Sequence, residues 1–246
     1  MLQNDEHIIL NVVSKSGSTT ETIANFEILL NLLEKYSDHP EDSIVVTTDY
    51  DSKLWHLAKE KKYAVLEIPK KVGGRYSVFS PVGLFPLAMI EVNISQLIDG
   101  AKKMRLRCLQ QDIEKNPAAI AATCSFLHFK EGKNIHDLFL FSDDLESIGK
   151  WYRQLLAEST GKEHDLSDNQ VFTGLTPTYS IGSTDLHSVA QLYLGGPFDK
   201  FTTFVQIKNN KHNVILPKYE EYDGLVNGIQ KKPMQDIMNA IYQGVK

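Results

Sequence analysis

Ile8-Ile9-Leu10-Asn11-Val12-Val13-Ser14-Lys15-Ser16-Gly17-Ser18-Thr19-Thr20-Glu21-Thr22 decides the fold. Its first six residues form a near-continuous apolar run, the pattern of a strand buried on both faces. The run breaks into hydroxyls and a glycine. From Thr22 to Tyr36, apolar residues then recur at Ile23, Phe26, Leu29, Leu30 and Leu33, at helical spacing. A strand that passes through small polar residues into a helix is a place to hold a phosphate. The first backbone N–H groups of a helix are unpaired, and its dipole favours an anion there. Ser14, Ser16, Ser18, Thr19, Thr20 and Thr22 add donors without bulk, Lys15 is the one cation, and Gly17 permits a tight turn. A hydroxyl-rich turn that only caps a helix has the same composition, and this segment alone does not separate the two.

Working outward, Ile44-Val45-Val46-Thr47-Thr48 reads as a second strand, Lys53 to Lys61 as a helix, and Ala64-Val65-Leu66-Glu67-Ile68 as a third strand. Strands alternating with helices over short connections imply a parallel sheet with helices on its faces, an α/β class. In such sheets ligands sit at the carboxyl ends of strands, which is where the hydroxyl loop lies. The middle reads as helical, with apolar stripes over Val82 to Ile90, Ile94 to Arg107 and Ala118 to Phe129. A second α/β unit begins near Asn134. It has a strand over His136 to Phe141, a helix from about Leu145 to Ala157, a strand over Phe201 to Ile207 and a helix over Pro233 to Tyr242. The expected organisation is a first unit over 1–93, a helical connection over 94–133 and a second unit over 134–246, with Lys130-Glu131-Gly132-Lys133 as the expected boundary.

With a net charge of −5 over 246 residues, nothing suggests a broad nucleic-acid surface. The local cluster Lys102-Lys103-Met104-Arg105-Leu106-Arg107 reads as a solvated helix face. Cys108 and Cys124 are the only cysteines, which argues against a disulfide scaffold or a zinc site and fits a reducing cytoplasm. The N-terminal Met-Leu-Gln-Asn-Asp-Glu-His lacks the basic start and long apolar core of a signal peptide. No apolar run reaches membrane-spanning length.

Three further residues invite a chemical reading. Arg75 follows Gly73-Gly74, and two adjacent glycines allow a close backbone approach to a ligand, although any sharp turn uses the same pair. Glu158 closes an amphipathic helix, where the dipole disfavours an acid. A residue that breaks a local rule marks a candidate site, and a solvated glutamate is the plain alternative. His187, in Gly182-Ser183-Thr184-Asp185-Leu186-His187-Ser188, reads as a loop entering a helix, with Gln191 one turn on. An idle surface histidine would look the same. His7, His128, His136, His164 and His212 have no supporting pattern.

Four segments together resemble the glucose-6-phosphate isomerase (phosphoglucose isomerase) family. Val13 to Thr22 is similar to its sugar-phosphate loop. Gly73-Gly74-Arg75-Tyr76-Ser77-Val78-Phe79-Ser80-Pro81-Val82-Gly83-Leu84 is similar to its Gly-Gly-Arg signature, usually written with alanine where Pro81 stands. Gly149 to Lys162 resembles its second signature, and Ser183 to Leu192 its histidine segment. The resemblance implies two sugar-isomerase (SIS) domains, each a parallel sheet flanked by helices. It implies interconversion of D-glucose 6-phosphate and D-fructose 6-phosphate, in glycolysis and gluconeogenesis, with no metal or other cofactor. By carry-over, Ser14, Lys15, Ser16, Thr19 and Thr22 hold the phosphate. Glu158 moves a proton between C1 and C2 through a cis-enediol(ate), Arg75 stabilises its charge, and His187 assists ring opening from the partner subunit of a homodimer. Gly74 and Gln154 are further substrate-site candidates.

The sequence departs from the family at both ends. Nothing before Ile8 resembles the family's upstream Gly-Gly-Ser segment, and the chain stops before its Phe-Asp-Gln-Pro-Gly-Val-Glu segment and ring-opening lysine. Lys246 is not given that lysine's role, because its surroundings do not match. The expectation is a chain short at both ends, an incomplete first domain, and weak or absent turnover. A non-catalytic sugar-phosphate-binding SIS module, an inactive fragment of the isomerase and a bifunctional phosphoglucose/phosphomannose isomerase stay open as alternatives.

Overall fold

A computed structural model describes residues 7–209, 213–222 and 224–246. His212 and the first six residues of the N-terminal reading lie outside them. The chain divides into two compact units, Met1–Gln110 and Gln111–Lys246, each described by itself. The division falls inside the stretch read as a helical connection.

The first unit runs β1 (Leu10–Val13), α1 (Thr20–Leu33), β2 (Ile44–Asp49), α2 (Lys53–Glu60), β3 (Ala64–Ile68), α3 (Pro81–Met89) and α4 (Ile94–Cys108). Its three strands are parallel with β2 in the centre. Leu10 lies opposite Ile44, and Val45 opposite Ala64. Alternation along the strands sends Val12, Ile44 and Val46 to one face, where Phe26 and Leu33 of α1 and Leu54 and Ala58 of α2 close the core. β1 is an edge strand. Asn11 is exposed on it, and beside it α1 turns Ile28, Leu29 and Leu32 to solvent.

The second unit runs α5 (Pro117–Lys130), β4 (Ile135–Phe141), α6 (Glu146–Thr160), the exposed hairpin β5 (Lys162–His164) and β6 (Gln170–Thr173), β7 (Thr176–Ile181), α7 (Thr184–Ser188), α8 (Ala190–Gly195), β8 (Lys200–Gln206) and α9 (Met234–Val245). β4 is central and parallel to both β7 and β8. One sheet face carries His136, which meets Tyr152 of α6 and stacks on Phe201, itself stacked on His128 of α5. The other carries Asp137, Phe139 and Phe141, met by Tyr193 of α8 and Tyr242 of α9. This is a three-layer α-β-α arrangement. Gly149 lets α6 lie close on the sheet, because a Cβ there would stand 2.7 Å from the Tyr179 ring and 3.0 Å from Leu140.

Two expectations change. Thr176–Ile181 and the β5–β6 hairpin are strands that carry no readable apolar pattern. His187 and Gln191 do not share one helix: the chain leaves helical geometry at Val189 (φ −120°, ψ −16°), so His187 ends α7 and Gln191 belongs to α8.

Candidate active site

The hydroxyl loop leaves the carboxyl end of β1 and is built onto β2. Ser14 N–H donates to the Thr47 carbonyl and Asp49 N–H to the Lys15 carbonyl, both at 3.1 Å, so backbone pairing runs past the end of the strand. The buried Thr48 hydroxyl donates to the Ser14 carbonyl at 2.6 Å and lies 2.9 Å from the Ser52 hydroxyl. Gly17 adopts φ +68°, and a Cβ there would come within 2.9 Å of Leu54 and Ser52. Only glycine fits that backbone and that gap.

The hydroxyls divide into two groups. Ser14 is buried, and its hydroxyl lies 2.9 Å from that of Thr19. Ser16, Ser18, Thr19 and Thr20 are exposed, with Thr22 intermediate. Thr19 is the N-cap residue of α1, yet its side chain makes no capping bond. The four helices that follow are each capped by a side chain: Ser52, Ser80, Asn93 and Asn116 accept from first-turn N–H groups of α2, α3, α4 and α5. At α1 the hydroxyl that would serve this purpose is engaged by Ser14 instead. A turn that merely capped its helix would have spent that hydroxyl on the helix. The arrangement leaves the start of α1 able to receive an acceptor from outside.

Lys15 sends its ammonium across the end of the sheet to the Val72 carbonyl, at 2.7 Å. Val72 opens the Gly-Gly-Arg segment, which forms a tight 3-10 turn over Gly74–Phe79. Ser77 closes that turn by donating to the Gly74 carbonyl at 2.6 Å. The Arg75 guanidinium lies over the Tyr76 ring, 4.7 Å from its centroid. At Gly74 an added Cβ would meet nothing within 4 Å. The first unit thus brings Ser14, Lys15, Ser16, Thr19 and Thr22 together on one loop and ties that loop to the segment bearing Gly74 and Arg75. Thr48 and Ser52 hold the loop from beneath, and sequence reasoning missed them.

In the second unit Glu158 is exposed near the end of α6, and Gln154, one turn earlier, donates to its Oε1 at 3.0 Å. α6 runs antiparallel to the strands. Gly149 lies against Leu140 and Tyr179 late in β4 and β7, whereas Thr160 accepts from Leu175 N–H just before β7 begins. Glu158 therefore stands at the amino end of the sheet. His187 is exposed on α7, which is fastened to the carboxyl end of β7 where Ile181 N–H donates to Asp185 Oδ2 at 2.7 Å. At about 3.3 Å per residue, the length of β7 puts roughly 20 Å between those two ends. The second unit does not bring Glu158 and His187 together. Among the described residues, no group of three or more His, Cys, Asp or Glu side chains could hold a metal ion.

The sequence matches the family described as phosphoglucose isomerase over residues 2–218. The chain belongs to the phosphoglucose isomerase family. It is 38% identical over 218 residues to the glucose-6-phosphate isomerase of Carboxydothermus hydrogenoformans, an alignment covering 86% of this chain and 46% of that protein. It is 35% identical over 244 residues to the glucose-6-phosphate isomerase of Clostridium novyi, covering 98% of this chain and 52% of that one. Among solved structures, a hypothetical protein of Thermus thermophilus superposes with a TM-score of 0.88 at 30% identity, over 99% of this chain and 58% of that one. A glucose-6-phosphate isomerase of Chlamydia trachomatis shares the fold, with a TM-score of 0.82 at 20% identity over 99% of this chain and 46% of that one. The chain thus spans about half the length of the curated relatives it matches. Among its described residues, no helix is long and apolar enough to cross a membrane.

Proposed function

We propose that this protein is an aldose–ketose isomerase that interconverts D-glucose 6-phosphate and D-fructose 6-phosphate through a cis-enediol(ate), a step of glycolysis and gluconeogenesis in the cytoplasm. The observation that carries the reading is the start of α1, where Thr19 turns away from its capping position and hydroxyls surround a helix terminus. A dianionic phosphate suits that geometry. In this reading Ser14 and Thr19 shape the phosphate site, Ser16 and Thr22 donate to it, and Lys15 contributes its charge. Gly74 gives the backbone close approach to the sugar. Held there, the remote phosphate supplies binding energy that keeps the reacting carbons in place.

The proton beside a sugar carbonyl is weakly acidic, so a positioned carboxylate must take it as charge develops on oxygen. Glu158 is that base, oriented by Gln154. Arg75 faces the developing oxyanion with a guanidinium that stays charged throughout. His187 assists ring opening. The separation of Glu158 and His187 within one copy favours a homodimer, in which His187 enters the site of its partner. The two units act as SIS domains. No metal or other cofactor takes part.

Conversion of fructose 6-phosphate to glucose 6-phosphate, coupled to a dehydrogenase, tests the reading, with Glu158→Gln prepared identically. Turnover lost in Glu158→Gln, with sugar-phosphate binding retained, is the expected result. Equal turnover in both preparations removes Glu158 from the role of base. Folded protein without turnover is an incomplete enzyme, and a sugar-phosphate titration then separates a relic, which does not bind, from a binding module, which does.

A further inference from the structure

Lys15 does something a phosphate ligand does not need to do. Its backbone is already fixed, since its carbonyl accepts from Asp49 N–H and its neighbour Ser14 is held by Thr47 and Thr48. From that anchored position the side chain bridges from the loop after β1 to the segment after β3, over the end of β2, and joins residues 57 apart in sequence. The bond is partly buried, and its donor is a full charge, which makes it stronger than a neutral pair.

The acceptor matters as much as the donor. Val72 is the last residue before Gly73-Gly74-Arg75, and its own N–H donates to the Pro69 carbonyl at 2.8 Å. Beyond it, Gly73 and Gly74 bring no side chains to anchor the turn. The backbone around Arg75 is held by the Pro69 turn, the Lys15 bond, the bond from Tyr76 N–H to Gly73 and the Ser77 bond to Gly74, among its contacts. The Lys15 bond comes from the hydroxyl loop. A carbonyl also leaves the ammonium un-neutralised, so the positive field stays at the loop, whereas a carboxylate partner would have cancelled it.

We infer that Lys15 is a positioning residue that couples the hydroxyl loop to the Gly-Gly-Arg turn, so that occupation of the loop by the phosphate sets the place of Arg75. The inference rests on the reading of Ser14–Thr22 as the anion loop and of Arg75 as the oxyanion partner. It gives Lys15 a role beyond adding charge: it transmits the substrate's non-reacting end to the residue that faces the reacting one.

Amide hydrogen exchange on the full chain tests this, with Lys15→Met, Lys15→Arg and inorganic phosphate as the probe. In Lys15→Met, exchange across residues 73–77 rises roughly ten- to a hundredfold, as expected for loss of a charged hydrogen bond, while the amides of α1 and α2 stay as protected as before. Lys15→Arg, which keeps a charged donor, restores most of the protection. Phosphate slows exchange at both 14–22 and 73–77 in the unaltered chain; in Lys15→Met, where the lost charge weakens anion binding, phosphate raised until 14–22 is again protected leaves 73–77 unslowed. Unchanged exchange at 73–77 in Lys15→Met, a uniform rise across the unit, or continued phosphate protection of 73–77 without Lys15 each overturns the coupling. If phosphate slows nothing in the unaltered chain, the anion-loop reading fails and the coupling with it. A normal rise at 73–77 in Lys15→Met then shows that only a structural tie remains.

Discussion

At the scale of single residues, Gly17 is where the loop has least freedom to change. With φ at +68° and Leu54 and Ser52 2.9 Å from where a Cβ would lie, Gly17→Ala meets both backbone strain and a clash. A non-glycine residue forced into this region costs about 1–3 kcal/mol, and the clash adds to that. Urea unfolding of Gly17→Ala is therefore expected to show a clearly lower midpoint at unchanged slope, together with weakened binding of inorganic phosphate. An unaltered midpoint would mean that the loop turns by another route. The composition of this loop was legible, because strand, hydroxyls, glycine and helix follow one another within a single stretch. Its supports were not. Thr48, Ser52 and the Val72 carbonyl reach it from 33 or more residues away, and nothing local in the chain announces such partners.

At the scale of elements, β7 is the strand the pattern concealed. Thr176-Pro177-Thr178-Tyr179-Ser180-Ile181 has no apolar alternation, because its inward residues serve a buried acid. Asp137 Oδ1 accepts from the hydroxyls of Thr178, Ser180 and Tyr193 at 2.7, 3.0 and 3.0 Å, and its Oδ2 is buried with no hydrogen-bond partner. Polarity that would mark a loop in sequence is here the lining of a core. Asp137→Ala leaves three hydroxyls without their acceptor, and at about 1–3 kcal/mol for each unsatisfied group the loss is at least ~3 kcal/mol. Asp137→Asn keeps one acceptor oxygen and is expected to lose much less. Urea unfolding of the two variants separates them, and equal losses would put the charge itself, rather than the acceptor, at the centre of the network.

The same sheet predicts a pH dependence on its other face. His136 is buried between Tyr152, whose hydroxyl lies 2.5 Å from Nδ1, and Thr203, 2.9 Å from Nε2. Burial first, and the nearby His128 second, push its pKa from the ordinary 6.5 down to about 4. Between those values the unfolded chain binds a proton that the folded chain refuses, so stability rises with pH across that window. The contribution is fully present above about pH 6.5 and declines as pH falls towards about 4. Thermal unfolding at pH 7 and 4.5 should show this decline, and His136→Asn should flatten it. A histidine with no local pattern around it thus proves to be structural, for the reason β7 was hidden: its partners Tyr152 and Thr203 lie on other elements.

At the scale of the whole molecule, the decisive relation is one of direction. A helix that returns antiparallel between two parallel strands delivers its last turn to the amino end of the sheet, while the helix after the second strand begins at the carboxyl end. Sequence order alone sets Glu158 and His187 29 positions apart, with β7 between them, and says nothing of which ends they reach. Once α6 and β7 are in place, the two residues of one copy face apart. If they work in one centre, each centre draws its histidine from a second chain. Glu158→Gln and His187→Ala chains are then each defective alone, but a mixed pair holds one centre with both residues intact and one with neither. Random pairing makes half of all dimers mixed, so an equal mixture recovers about a quarter of the unaltered turnover. The fructose 6-phosphate assay, run at high protein concentration so that slow turnover is counted, reads this directly after the two chains are unfolded and refolded together. Recovery near a quarter places the centre between copies. No recovery, from two variants that fold and bind inorganic phosphate normally, means that His187 acts within its own chain, whereas full turnover in His187→Ala alone means that it takes no part.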